Sequence, residues 1–153
     1  MGASQQQLQE LSQQLQEIQQ HIEVLQEEIE TVRDEQTAID EATDAIEHLE
    51  TGSTVQVPLG GGAYARATIE DIDELIVELG ANYALERDQE GAIDTLENKK
   101  DRLDDRIDEL NDEITDLEGE SSQLEQQAQQ LQQQAMQQQM QQMQGGQDQG
   151  LDE

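Results

Sequence analysis

The chain has 153 residues and a formal net charge of −30, from 7 Lys and Arg against 37 Asp and Glu. Aromatics make up 1% of it and apolar residues 33%, too little to fill an ordinary globular core, and with no cysteine it has neither disulfides nor thiolate metal sites. So acidic a surface repels phosphate backbones and anionic lipids, which argues against nucleic-acid and membrane partners.

The first residues, MGASQQQLQEL, offer neither a basic start nor an apolar run, so no secretory signal is expected. No apolar stretch approaches the 18 residues of a membrane span. A soluble, cytoplasmic protein is the expectation. Acids are spread along the chain rather than gathered in one tail. That pattern fits a halophilic surface, where concentrated ions screen the self-repulsion.

An N-terminal arm is expected over 5–50. Its apolar residues fall at Leu8, Leu11, Leu15, Ile18, Ile22, Leu25, Ile29 and Val32, then through Gln36 to Ile39, Thr43, Ile46 and Leu49. Spacings of three and four alternate without a slip, which is the seam of a coiled coil. Gln and Glu fill the positions between, as suits solvent-facing helix. Ser4 is the expected N-cap, and Thr51-Gly52-Ser53 closes the arm.

The middle, 54–87, does not read as helix. Val55, Val57 and Leu59 alternate with polar residues, Pro58 marks an edge or strand end, and Gly60-Gly61-Gly62 permits a tight turn. A second strand from about Ala63 to Ile69 sets small alanines on one face, with Tyr64 and Arg66 on the other. Residues 70–73 form a linker. Leu75, Val77 and Leu79 alternate again, Gly80-Ala81-Asn82 turns the chain, and Tyr83 to Arg87 returns it. Two β-hairpins with unpaired edges and few large residues make a poor independent core, so they are expected to join hairpins of other subunits.

The seam returns in a C-terminal arm over 88–138, from Ile93, Leu96, Lys100 and Leu103 through Ile107, Leu110, Ile114 and Leu117 to Ser121, Leu124, Ala128, Leu131 and Ala135. Asp88 is its expected N-cap, with Gly91 weakening the first turn. Arms of matching length predict an antiparallel coiled-coil hairpin. Leu49 then faces Ile93 and Leu8 faces Ala135. The polar seam residue Lys100 falls opposite Thr43, within reach of Glu47 or Asp104, where it would fix the register. Past Leu124 the arm turns to glutamine, with Met136, Met140 and Met143 off the strict seam; methionine suits surfaces that accept many partners. Residues 145–153 are expected to be a disordered tail.

No cluster looks built for catalysis. His21 and His48 are too far apart on one arm to share a metal, and pairs such as Asp104-Asp105 read as solvated helix faces. Neither an enzyme nor a cofactor is expected.

With these elements in order, the chain resembles the alpha subunits of archaeal prefoldin, as one domain over 1–153. The likeness rests on Val57-Pro58-Leu59-Gly60 with Gly62-Ala63-Tyr64, then Val77-Glu78-Leu79-Gly80 and Tyr83, between two long helices. Two hairpins rather than one distinguish the alpha type from the smaller beta type. The resemblance implies an α+β fold whose two central β-hairpins assemble into an intersubunit β-barrel, in a hexamer of two alpha and four beta subunits. It implies an ATP-independent chaperone that holds unfolded polypeptides at its coiled-coil tips and delivers them to a group II chaperonin. On this chain, Val55, Val57, Leu59, Tyr64, Ile69, Leu75, Val77, Leu79, Tyr83 and Leu85 would serve the oligomer. Leu8, Leu11, Leu15, Leu124, Ala128 and Leu131, with Met136 and Met140 beyond them, would meet clients. The alternative is a coiled-coil scaffold or adaptor joining specific folded partners.

Overall fold

A computed structural model describes residues 2–151, with side chains as far as residue 144. Helix α1 spans Gly2–His48, strands β1 and β2 span Thr54–Gly60 and Ala63–Thr68, β3 and β4 span Leu75–Gly80 and Tyr83–Arg87, and α2 spans Gln89–Leu151. Helix α1 starts before its expected limit and ends short of residue 50, and α2 runs on past its expected end. Ser4 lies inside α1 and is not its cap, because the glutamines around it are good helix formers and nothing breaks the chain before them. Likewise α2 passes residue 138, since the Gln and Met run holds no breaker before Gly145. The expected tail at 145–153 lies outside the described side chains, and residues 152–153 lie outside the described backbone.

The chain divides into two units, Met1–Glu28 with Glu109–Glu153, and Ile29–Asp108. In the first, α1 and α2 run antiparallel: Leu8 shares a groove with Ala135, and Leu11 with Leu131. Leu25, Leu110 and Ile114 are buried there, while the seam positions nearer the start of α1, among them Leu8, Leu11, Leu15, Ile18 and Ile22, are half-buried. The facing positions Leu117, Ser121, Leu124, Ala128, Leu131 and Ala135 are also half-buried.

In the second unit the seam residues Val32, Ile39 and Ile107 are buried. Its polar layer differs from expectation. Lys100 Nζ pairs with Asp40 Oδ1 at 2.7 Å, not with Glu47, and Asp104 instead accepts from Gln36 Nε2 at 2.6 Å. Gln36 Nε2 also donates to the Lys100 carbonyl at 3.2 Å. The seam has closed about one turn away from the spacing-based register. There each of the polar seam residues Gln36 and Lys100 finds an aspartate on the facing helix, Asp104 for Gln36 and Asp40 for Lys100. The hydrogen bond to Asp40 raises the Lys100 pKa; partial desolvation opposes it, and the charges of Asp40, Asp104 and Asp101 reinforce it.

Helix α1 ends at His48, and its last carbonyls find a donor from the far side of the hairpins. Gln89 Nε2 donates to Ile46 O at 2.7 Å and to Leu49 O at 3.2 Å. Gly52, at φ +92°, belongs to the next turn rather than to the helix cap. Its N–H reaches Ile69 O at 2.7 Å, and Ile69 N–H returns to Ser53 O at 2.8 Å, which closes the base of the first hairpin. Asp88 caps α2 as expected, its Oδ1 accepting from Gly91 N–H at 2.7 Å. Glycine has a reason at 91: a Cβ there would lie 2.6 Å from that capping oxygen.

The two hairpins form separate two-stranded sheets built to one plan, each position repeated twenty residues on. Gly61 and Gly62 (φ +61° and +84°) turn the first; Ala81 and Asn82 (φ +51° and +66°) turn the second. Two central residues with positive φ make the type I′ turn that matches strand twist. Gly60 and Gly80, at φ +99° and +93°, absorb the register shift before each turn.

Candidate functional site

Two apolar surfaces remain after the folding of each unit. The first lies on the hairpins. Alternation in β1 and β2 turns Val55, Ala65 and Ala67 inward to half-burial, leaving Tyr64 63% exposed on the opposite face and Leu59 68% exposed beside the bulge. In β3, Val77 is buried and Leu75 and Leu79 are half-buried, so Ile76 on the opposite face is 75% exposed. Tyr83 and Leu85 on β4, and Val57 on β1, are exposed as well. Lys99 Nζ donates to Glu78 O at 3.3 Å, and Gln89 N–H to Asp73 Oδ1 at 3.4 Å, tying the second hairpin to the first turns of α2.

Of the ten residues expected at subunit contacts, Val57, Leu59, Tyr64, Tyr83 and Leu85 offer open surface, whereas Val55, Ile69, Leu75 and Leu79 are half-buried and Val77 is buried. Ile76 was missed. Alternation assigns it to the polar face of β3, and periodicity treats an apolar residue there as noise, although an apolar residue on a polar face is the usual mark of a contact. Each sheet ends after two strands, so the outer edge of every strand lacks a sheet partner among the described residues. Such edges recruit further strands.

The second surface lies in the first unit. The seam of α2 carries alanine at 128 and 135, and two grooves open between the helices of this unit. Leu11 and Leu131 line one of about 360 Å³, and Leu8 and Ala135 line a smaller one of about 130 Å³. The other lining residues are Ser4, Glu10 and glutamines, so apolar seam carbons lie within an almost uncharged rim. Leu15, Leu124 and Ala128 continue the half-buried seam. Beyond it Met136, Met140 and Met143 are 70%, 71% and 77% exposed. Nothing here resembles a catalytic arrangement. Among the described residues no three His, Asp or Glu side chains converge to hold a metal ion, and no helix is long and apolar enough to cross a membrane.

Comparison with known proteins gives one family. The family model for prefoldin subunits matches residues 18–134. The prefoldin subunit alpha of Halorubrum lacusprofundi is 64% identical over 101 residues, covering 66% of each chain. That of Haloarcula marismortui is 68% identical over 63 residues (41% of each chain), and that of Haloquadratum walsbyi 66% identical over 100 residues (65% of each). The matched stretch thus spans less than two thirds of the length of these relatives. Two solved structures share the fold. A chain of the filamentous prefoldin from Methanocaldococcus jannaschii aligns with a TM-score of 0.50 at 24% identity, over 78% of this chain and 95% of that one. The prefoldin beta subunit from Thermococcus strain KS-1 aligns with a TM-score of 0.52 at 21% identity, over 80% of this chain and 90% of that one.

Proposed function

The chain belongs to the prefoldin subunit family, and from that premise we propose that it works as an ATP-independent holdase subunit of the cytoplasm. It assembles through its hairpins with beta-type subunits, as two alpha and four beta chains. It binds unfolded polypeptides at the outer end of its first unit and passes them to a group II chaperonin. The observation that carries this reading is the change along one seam. Leu25, Leu110 and Ile114 are buried, whereas Leu8, Leu11, Leu15, Leu124, Ala128 and Leu131 stay half-buried along a seam that opens into two grooves. Half-exposed apolar carbons within a neutral glutamine rim can accept apolar segments of many sequences without matching any one charge pattern. Met136 and Met140 extend the same surface. Exposed Val57, Leu59, Tyr64, Ile76, Tyr83 and Leu85 supply the apolar contacts of the assembly, and the free strand edges supply its hydrogen bonds.

The test is aggregation of a denatured protein in concentrated salt, with this chain alone, with its beta-type partner, and with both arms trimmed by their outer two heptads. Suppression by the full assembly, lost on trimming while oligomer size persists, is the expected result. A correctly assembled complex that suppresses nothing would overturn it in favour of a scaffold joining folded partners.

A further inference from the structure

Apart from Met1, every sulfur atom in this protein belongs to Met136, Met140 or Met143, and cysteine is absent. Spacings of four and three set these three thioethers on one stripe of α2. Their exposures, 70%, 71% and 77%, show that none is used as core. The surroundings are equally selective. Residues 126–147 hold no charged side chain, in a chain whose net charge is −30. Leu131 is half-buried in the seam, so the methionines are the large apolar groups that this neutral segment exposes to small solutes.

We propose that Met136, Met140 and Met143 form an oxidation-sensitive modification site that controls the affinity of the outer end for apolar chain segments; this rests on the chaperone reading above. The co-reactant is a peroxide. Its terminal oxygen passes to the thioether sulfur as the O–O bond breaks and the S–O bond forms. The sulfur loses two electrons, hydrogen peroxide is reduced to water, and the product is methionine sulfoxide. A flexible apolar side chain becomes a polar one at three consecutive points of a single stripe, so an apolar ligand laid along it loses each contact. A thiol-dependent sulfoxide reductase reverses the change. With no cysteine in the chain to react first, this stripe is where mild oxidant acts.

The experiment treats the full chain, assembled with its beta-type partner, with hydrogen peroxide. It locates added oxygen by peptide mass and measures suppression of aggregation before and after treatment. The same is done for the triple variant Met136→Leu, Met140→Leu, Met143→Leu, which keeps the apolar stripe and helix propensity but cannot be oxidised. Three oxygens on the stripe, a several-fold loss of suppression by the wild-type chain, and unchanged suppression by the leucine variant are expected, with reductase treatment restoring the wild type. Oxidised wild-type protein that suppresses as well as reduced protein overturns the proposal and leaves the chaperone reading standing. Equal losses in the wild type and the leucine variant also overturn it, since the damage then lies elsewhere. Reduced wild type that suppresses nothing overturns both the chaperone reading and the control of it proposed here.

Discussion

Replacing Gln89 by glutamate exchanges one amide NH2 for an oxygen and changes almost nothing in shape. In the native structure that NH2 reaches Ile46 O at 2.7 Å and Leu49 O at 3.2 Å, and the side chain is half-buried. A glutamate keeps the length and loses both donors. Each net hydrogen bond contributes about 0.5–1.5 kcal/mol. A carboxylate facing the negative end of α1 adds a further penalty of about 0.3–1 kcal/mol. Together they give a destabilisation of about 1–4 kcal/mol, or roughly 3–15 °C in melting temperature for a chain of this size. Gln89→Ala should cost less, about 1–2 kcal/mol, because water can enter and donate to the freed carbonyls. The carboxyl introduced by Gln89→Glu should have its folded-state pKa raised above the unfolded one. The deficit is then full above that folded pKa and shrinks as pH falls through it, when protonation removes the charge and restores one donor. Thermal melts followed by circular dichroism in concentrated salt, with wild type and both variants over a pH series, provide the assay. Gln89→Glu as stable as wild type, or more stable than Gln89→Ala at neutral pH, would refute the claim that this amide caps α1.

Other expectations rest on single residues. Gly91→Ala should be near neutral in the wild type, because the gain of about 1 kcal/mol in helix propensity is offset by the displaced cap. In an Asp88→Ala background the same change should stabilise by about 1 kcal/mol, a non-additivity that urea titration of the four proteins would measure. Ala81→Gly should raise stability by about 1 kcal/mol, since alanine holds φ +51° in the second turn at a cost glycine does not meet; an unchanged urea midpoint would contradict this. Lys100→Leu should raise the melting temperature, because its ammonium pairs with an exposed Asp40 while its stem occupies a seam position; a clear loss would assign the pair a stabilising role. The raised pKa of Lys100 makes that pair's contribution complete below the ordinary lysine pKa and lost only as pH rises through the higher folded value, so alkaline titration should lower the wild type and widen the gap to the more stable variant. Finally, helicity should fall as salt is diluted toward millimolar levels, and a flat circular dichroism signal over that series would count against the role given to screening.

Much of the architecture was legible because coiled coils and hairpins announce themselves locally. Every seam position from Leu8 to Leu49 and from Ile93 to Ala135 is half-buried or buried, and both turns fall where glycine and asparagine stand. The caps were less legible. Ser4 has the chemistry of an N-cap but no break before it, and the true partner of the α1 carbonyls, Gln89, lies more than forty residues downstream, where no local rule would seek it. The candidate contact surface divided in the same way. Tyr64 and Tyr83 stood out as the sole aromatics, whereas Ile76 passed unnoticed on a face that alternation marks as polar.

By itself the sequence determined the period of the helices, the number of hairpins and the place of their turns, the acidic surface and the neutral, sulfur-bearing end. Each of these is set by neighbours a few residues apart, through the helical repeat, strand alternation or the φ values a residue type permits. Tertiary structure alone decided the register of the second unit, where Lys100 meets Asp40 and Gln36 meets Asp104. It also decided which apolar hairpin residues are buried within the chain. Heptad spacing repeats at every turn, so shifts of one turn look alike to it. The pairing of Lys100 with Asp40 and of Gln36 with Asp104 is what distinguishes one register from its neighbours.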